Sequence, residues 1–178
     1  MTLRPIAATD AEAMFASLSD EEARRLTGTQ QTFTLEQVRA FCARVMSADD
    51  RLDYAITLHD DGRYRGEVVL NDIDWDNRAA NFRIAIGGAE NRGKGYGTEA
   101  AELILSHAFD VLGLHRVALE VFDFNLRAQH VYRKLGFVQE GVLRDVLWWE
   151  GAYHNAIKMS LLVPEFRARR VGHDVIKD

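Results

Sequence analysis

Three glycines on alternate positions, Gly93, Gly95 and Gly97, separate a strand-like run, NFRIAI (81–86), from a helix-like run that begins at Thr98. Side chains repeat every two residues in a strand and about every 3.6 in a helix, so the chain must change backbone state across this loop. Glycine supplies positive φ and leaves backbone N–H groups uncovered. Arg92 and Lys94 add positive charge to the same stretch, and a helix start presents further unsatisfied N–H groups. Together these features predict an α/β chain with an anion-binding turn at a strand-to-helix junction.

The rest of the chain keeps the same alternation. LRPI (3–6) reads as a first strand, and TDAEAMFASL (9–18) as an amphipathic helix with Thr9 and Glu12 at capping-box spacing. A polar link (19–33) leads to TLEQVRAFCARVM (34–46). There Thr34 and Gln37 repeat the box, and Leu35, Val38, Phe41, Cys42, Val45 and Met46 form one helical stripe. DYAITL (53–58), the turn HDDGR and YRGEVVLNDI (64–73) predict an antiparallel hairpin. After a loop (74–80), strand 81–86 and the glycines, a long helix over 98–113 ends at Gly113. RVALEV (116–121) is a buried strand, and 125–136 a helix stopped by Gly136. A closing hairpin over 137–162 turns near Glu150–Gly151. The tail from Pro164 fits either a helix or a frayed end. No repeat, low-complexity segment or linker divides the chain, so 1–178 reads as one domain around a mixed, mostly antiparallel sheet.

Composition narrows the partners. The net charge is −5, from 22 Lys+Arg against 27 Asp+Glu, which argues against coating nucleic acid by bulk attraction. It leaves room for a local cationic pocket. One cysteine, Cys42, excludes an intrachain disulfide and sits on the apolar stripe as a small core hydrophobe. No apolar run approaches the roughly 18 residues of a membrane span, and the first residues lack a signal-peptide core, so no membrane association and a cytoplasmic location are expected. The six histidines show no metal-ligand spacing, so no metal is expected.

Three loop motifs compete. Gly88, Gly93 and Lys94 match the start of a nucleotide-triphosphatase phosphate loop, but Gly95 stands where its Mg²⁺-binding hydroxyl belongs. Gly95, Gly97 and Ala100, with Glu120 downstream, match a dinucleotide fingerprint. However, residues 87–92 intervene where that fold passes directly from strand to glycine. The third pattern, R-x-x-G-x-G at Arg92, Gly95 and Gly97, fits its flanking strand and helix without exception.

That motif, followed by RVALEV, DFNLRAQHVYRKLGF and EGVLRD, resembles the GCN5-related N-acetyltransferase superfamily. Within it the chain is similar to the branch of ribosomal-protein N-terminal and spermidine acetyltransferases. The resemblance implies that Arg92, Gly93, Lys94, Gly95, Tyr96, Gly97 and Thr98 cradle the pyrophosphate of acetyl-coenzyme A. Strand 81–86 would splay from RVALEV, so that the backbone of Ile84, Ala85 and Ile86 can pair with the pantetheine arm. A bulge in that strand would aim an N–H at the thioester carbonyl. Tyr132 would be the general acid, and Asn125 would anchor the arm or cap its helix. Many relatives carry an acid where Asn81 stands, and Asn cannot act as a base, so Glu67, Asp72 or a water chain would substitute.

The resemblance also implies acetyl transfer by direct attack of a primary amine: a peptide N-terminus, a polyamine or an amino-metabolite. The expected acceptor borders are residues 24–33, 71–77 and 147–153. Asp72, Asp74 and Asp76 around Trp75 would suit a cationic amine, and Trp148, Trp149 and Tyr153 would form an apolar wall or a homodimer contact. The rivals are a non-catalytic acyl-coenzyme A sensor and a dinucleotide oxidoreductase.

Overall fold

Apolar residues recur with period two in the strands and with helical period between them, and each run finds its partner in one sheet. A computed structural model describes residues 1–174. Its strands are β1 (Thr2–Pro5), β2 (Leu52–Thr57), β3 (Tyr64–Asp74), β4 (Ala79–Ile86), β5 (Arg116–Phe122), β6 (Val138–Trp149) and β7 (Ala152–Leu162). Helices α1 (Ala11–Ser17), α2 (Glu21–Thr27) and α3 (Leu35–Val45) precede β2. Helices α4 (Tyr96–Ser106), α5 (Leu126–Lys134) and α6 (Val163–Asp174) follow β4, β5 and β7. The sheet order is β1-β2-β3-β4-β5-β7-β6. Among the described residues only β4 and β5 run parallel, as the intervening crossover through α4 requires.

Each sheet face buries its own core. On one side Phe82, Val117, Leu119 and Val121 pack with Ile104, Leu105, Phe109, Leu135 and Phe137. On the other, Ala55 and Ile6 meet Ala11, Met14, Val38, Cys42 and Val45 of α1 and α3. Each fully buried Leu, Ile or Phe contributes roughly 1.5–3 kcal/mol, so two such faces hold the strands flat between helices. The β6–β7 hairpin turns through Glu150 (φ 48°) and Gly151 (φ 84°). Two consecutive left-handed residues match the twist of the flanking strands.

Several sequence expectations need correction. Thr9 does not cap α1: the helix is preceded by a 3₁₀ turn at Ala8–Asp10, and the Asp10 carboxylate accepts the Ala7 N–H at 2.9 Å while pairing with Arg4. The polar link contains α2, capped by Asp20 and stopped by Gly28 at φ 66°. On α3 the Thr34–Gln37 box forms, but Met46 lies outside the stripe and is 65% exposed. The tail from Pro164 is helical through Asp174, with the Phe166 ring tilted against Phe109 at 4.9 Å. The last four residues of that tail lie outside the described residues. No bulge occurs at residues 84–86, whose pairing with β3 is continuous. The irregularity lies on β3 instead, between Asn71 and Asp74, where Asp72 adopts φ 50°.

Candidate active site

The parallel pairing of β4 with β5 lasts only from Ala79↔Arg116 to Asn81↔Ala118. Beyond it β4 bonds only β3 and β5 bonds only β7. Alternate backbone groups of Phe82–Ile86 therefore face a gap without a sheet partner. A cleft of about 640 Å³ opens there. Ile84, Ala85 and Ile86 form one wall, the glycine loop one end, and Tyr132 of α5 another side.

The loop is pinned before it reaches the glycines. A 3₁₀ turn at Ala89–Asn91 brings the buried Asn91 amide onto the Gly87 carbonyl at 2.7 Å. Gly93 and Gly95 then take φ of 82° and 85°, conformations that side chains strongly disfavour. Gly95 is the cap of α4. Its carbonyl accepts the Thr98 and Glu99 N–H groups, leaving those of Tyr96 and Gly97 at the positive end of the helix. Arg92 Nη1 is paired with Asp20 at 2.9 Å, yet it is buried without a hydrogen bond. Of the predicted loop residues, Arg92, Gly93, Gly95, Tyr96, Gly97 and Thr98 line the cleft; Lys94 is exposed outside it. A smaller hollow of about 290 Å³ beside Arg92 is bordered by Arg25 and Arg127, two cations that sequence reading missed.

Tyr132 packs its ring edge-on to Phe82 at 6.0 Å and against Phe137 at 5.9 Å. Burial pushes its hydroxyl up to about 12, so it keeps its proton at neutral pH. Asn125 caps α5, its Oδ1 accepting the Ala128 N–H at 3.1 Å, and it also lines the cleft. Glu67 is opposite Ala85 on the adjoining strand. Its Oε2 is buried with no hydrogen-bond partner. Burial raises the Glu67 carboxyl above its ordinary range and the Asp53 charge adds to this, while Arg83 and Arg51 pull the other way.

Other predicted residues are elsewhere. Asp72 is exposed on the β3 bulge, where its Oδ2 accepts from Asn71 at 2.6 Å and Asn81 at 2.9 Å, and it does not border the cleft. Asp74 caps the Asn77 N–H, and Trp75 donates to the Asp49 carbonyl, so the acidic loop faces away from the site. Trp148 and Tyr153 meet edge-to-face at 4.7 Å on the β6–β7 hairpin, also outside the cleft. Of the three expected acceptor borders, 24–33 lines the cleft through Arg24, Thr27, Gln31 and Phe33 of α2 and the segment after it, joined by Phe41 and Arg44 of α3. Among the described residues, no group of three His, Cys, Asp or Glu side chains is placed to hold a metal ion. No helix there is long and apolar enough to cross a membrane.

A sheet that parts beside a glycine-rich helix start defines an α/β protein shaped for a long, phosphate-bearing ligand. The chain belongs to the acetyltransferase (GNAT) domain family, whose model matches residues 1–138. It is 38% identical over 119 residues to the spermidine N(1)-acetyltransferase of Escherichia coli (strain K12). That match covers 67% of this chain and 63% of the relative. The uncharacterized N-acetyltransferase YoaA of Bacillus subtilis (strain 168) is 27% identical over 168 residues, covering 92% of this chain and 94% of the relative. The fold matches a crystal structure of spermidine N-acetyltransferase from Vibrio cholerae in complex with CoA and spermine. Its TM-score is 0.87 at 23% identity, over 93% of this chain and 97% of that one.

Proposed function

We propose that the chain moves an acetyl group from acetyl-coenzyme A to a primary amine by direct attack. One observation carries this reading: the unpaired edge of β4, the glycine loop, Tyr132 and Glu67 all border a single cleft. Bound acetyl-coenzyme A would supply an acetyl group activated as a thioester. The exposed N–H groups around Gly95–Gly97 fit its pyrophosphate, with the Arg92 guanidinium, held by Asp20, beside them. Backbone groups of Ile84, Ala85 and Ile86 fit the amide-bearing arm as an added strand.

The residues then divide the proton work. An acceptor ammonium of pKa about 10 must lose a proton before it attacks. Glu67 accepts it, helped by a burial that makes its carboxylate more basic than usual. Tyr132 donates to the departing sulfur. Each such transfer typically contributes about 10²–10⁴ in rate. Asn125 fixes the start of α5 and so the position of Tyr132. Cys42 is fully buried in the core under α3 and takes no part.

Relatives named spermidine N(1)-acetyltransferase support polyamines as one acceptor class to test, beside peptide N-termini and amino-metabolites. Dependence on acetyl-coenzyme A and a lone reduced cysteine favour the cytoplasm. Exposed Val142, Val146 and Trp148 on the edge strand β6 favour pairing of two copies. The test is steady-state release of coenzyme A thiol across a panel of amines. Amine-dependent release is expected; tight acetyl-coenzyme A binding without release would make the chain a sensor instead.

A further inference from the structure

The part of the cleft bounded by α2, α3 and the open faces of β3 and β4 is cationic. Arg24, Arg44, Arg51 and Arg83 line it, against the carboxylates Glu67 and Glu120. Arg51 is already matched, by a bidentate pair to the buried Asp53 with both contacts at 2.7 Å. Arg24 is braced by the carbonyls of Thr29 at 3.2 Å and Gln30 at 3.0 Å, which fix its fork without neutralising it. Arg44 lies over the Phe41 ring at 5.8 Å. Among the described residues no carboxylate is within ion-pair distance of Arg24, Arg44 or Arg83.

The sheet register relates these charges to the proposed base. Glu67 is opposite Ala85 and Val69 opposite Arg83, so Glu67 and Arg83 project from the same face at diagonal positions. Such positions are roughly 7–8 Å apart along the backbone. An amine at Glu67 would therefore have any group a few bonds away within reach of the Arg83 guanidinium. A polyamine would set its remaining ammonium groups against unpaired guanidinium groups, and like charges at short range repel. A carboxylate would meet planar donors suited to two-point binding.

We propose that the acceptor is an amino-carboxylate, its amine at Glu67 and its carboxylate at Arg83 with Arg24 on the facing wall. This rests on the acetyl-transfer reading and names its substrate class. The carboxylate can belong to a free amino acid or to the acidic first residue of a peptide, and separate assays of the two distinguish these sources.

The experiment compares kcat/KM for free aspartate, for a C-terminally amidated peptide beginning with aspartate, and for spermidine. At least one carboxylate-bearing acceptor should exceed spermidine by tenfold or more, with the margin shrinking as salt rises. Arg83→Gln should raise KM for that acceptor about tenfold (~1.4 kcal/mol) with little change in kcat, and Arg83→Lys should recover part of the loss. The Arg83 side chain is exposed, so both variants should keep the wild-type melting temperature. Spermidine as the preferred acceptor, or an unchanged KM in Arg83→Gln, would overturn the inference and leave acetyl transfer standing. No thiol release with any amine would overturn the acetyl-transfer reading, and this inference with it.

Discussion

Tyr132 and Glu67 share a cleft, and burial raises both groups toward their protonated forms. The tyrosine is kept neutral by burial, with no hydrogen bond contributing. Replacing it by Phe preserves the ring contacts with Phe82 and Phe137, so Tyr132→Phe should leave melting temperature and acetyl-coenzyme A affinity unchanged. Its single-turnover rate should fall at least about tenfold, and a normal rate would remove Tyr132 from the chemistry. Glu67 pays for its basicity in stability. Its folded pKa is raised, so the protonated carboxyl suits the fold and that contribution is lost as pH rises through the folded value. Glu67→Gln should therefore melt higher than wild type at neutral pH, with the difference vanishing below the ordinary carboxylate range. Wild-type kcat/KM should fall as pH drops through the same raised value, and the variant should lose that limb. A Gln variant that melts lower at neutral pH would mean the carboxylate is a structural partner. Tyr132 was legible because it lies inside a local motif. Arg24 fell inside the expected 24–33 border, but Arg44 and Arg83 were not legible, since each is an ordinary surface arginine until the β3–β4 register and α3 bring them to the cleft. Asp72 misled because the run read as a strand over 64–73 gives no sign of the bulge at which it takes a positive φ.

The junction from β4 to α4 depends on backbone more than side chains. A Cβ at Gly97 would meet Ile86 Cγ1 at 3.6 Å, an ordinary contact, so the fold itself does not require glycine there. Its absence of side chain keeps the mouth of the gap open. Gly97→Val should fold with a near-normal melting temperature and weaken acetyl-coenzyme A by tenfold or more (~1.4 kcal/mol), read by calorimetry. Unchanged affinity would remove the pyrophosphate assignment. Period and caps announced α3, α4 and β5 well. They failed at α2, which offers only Ala23 and Leu26 as apolar residues, although Asp20 and Gly28 stood at its ends as readable signals. The closing of the β4–β5 pairing after three residues has no local signature, because it is a relation between strands 30 residues apart in chain order or more.

As a whole, the molecule is an open sheet whose centre is covered by helices and whose end strand β6 is exposed along most of its length. Val142 (47% exposed), Val146 (51%) and Trp148 (52%) stand on β6 at the end of the sheet. Light scattering should give the mass of two chains at micromolar concentration, and Val146→Lys should shift it toward one. A single-chain mass for the wild type would leave this edge solvent-facing. Apart from α2, the order of strands and helices was readable, since each carries its own period; what covers the apolar residues of β6 was not, because exposure alone does not name a partner. With the protein in excess over acetyl-labelled acetyl-coenzyme A and an amine present, the label should pass in one turnover to the amine and never reside on the chain. Label retained on the protein, or left on coenzyme A through the time course, would contradict direct transfer.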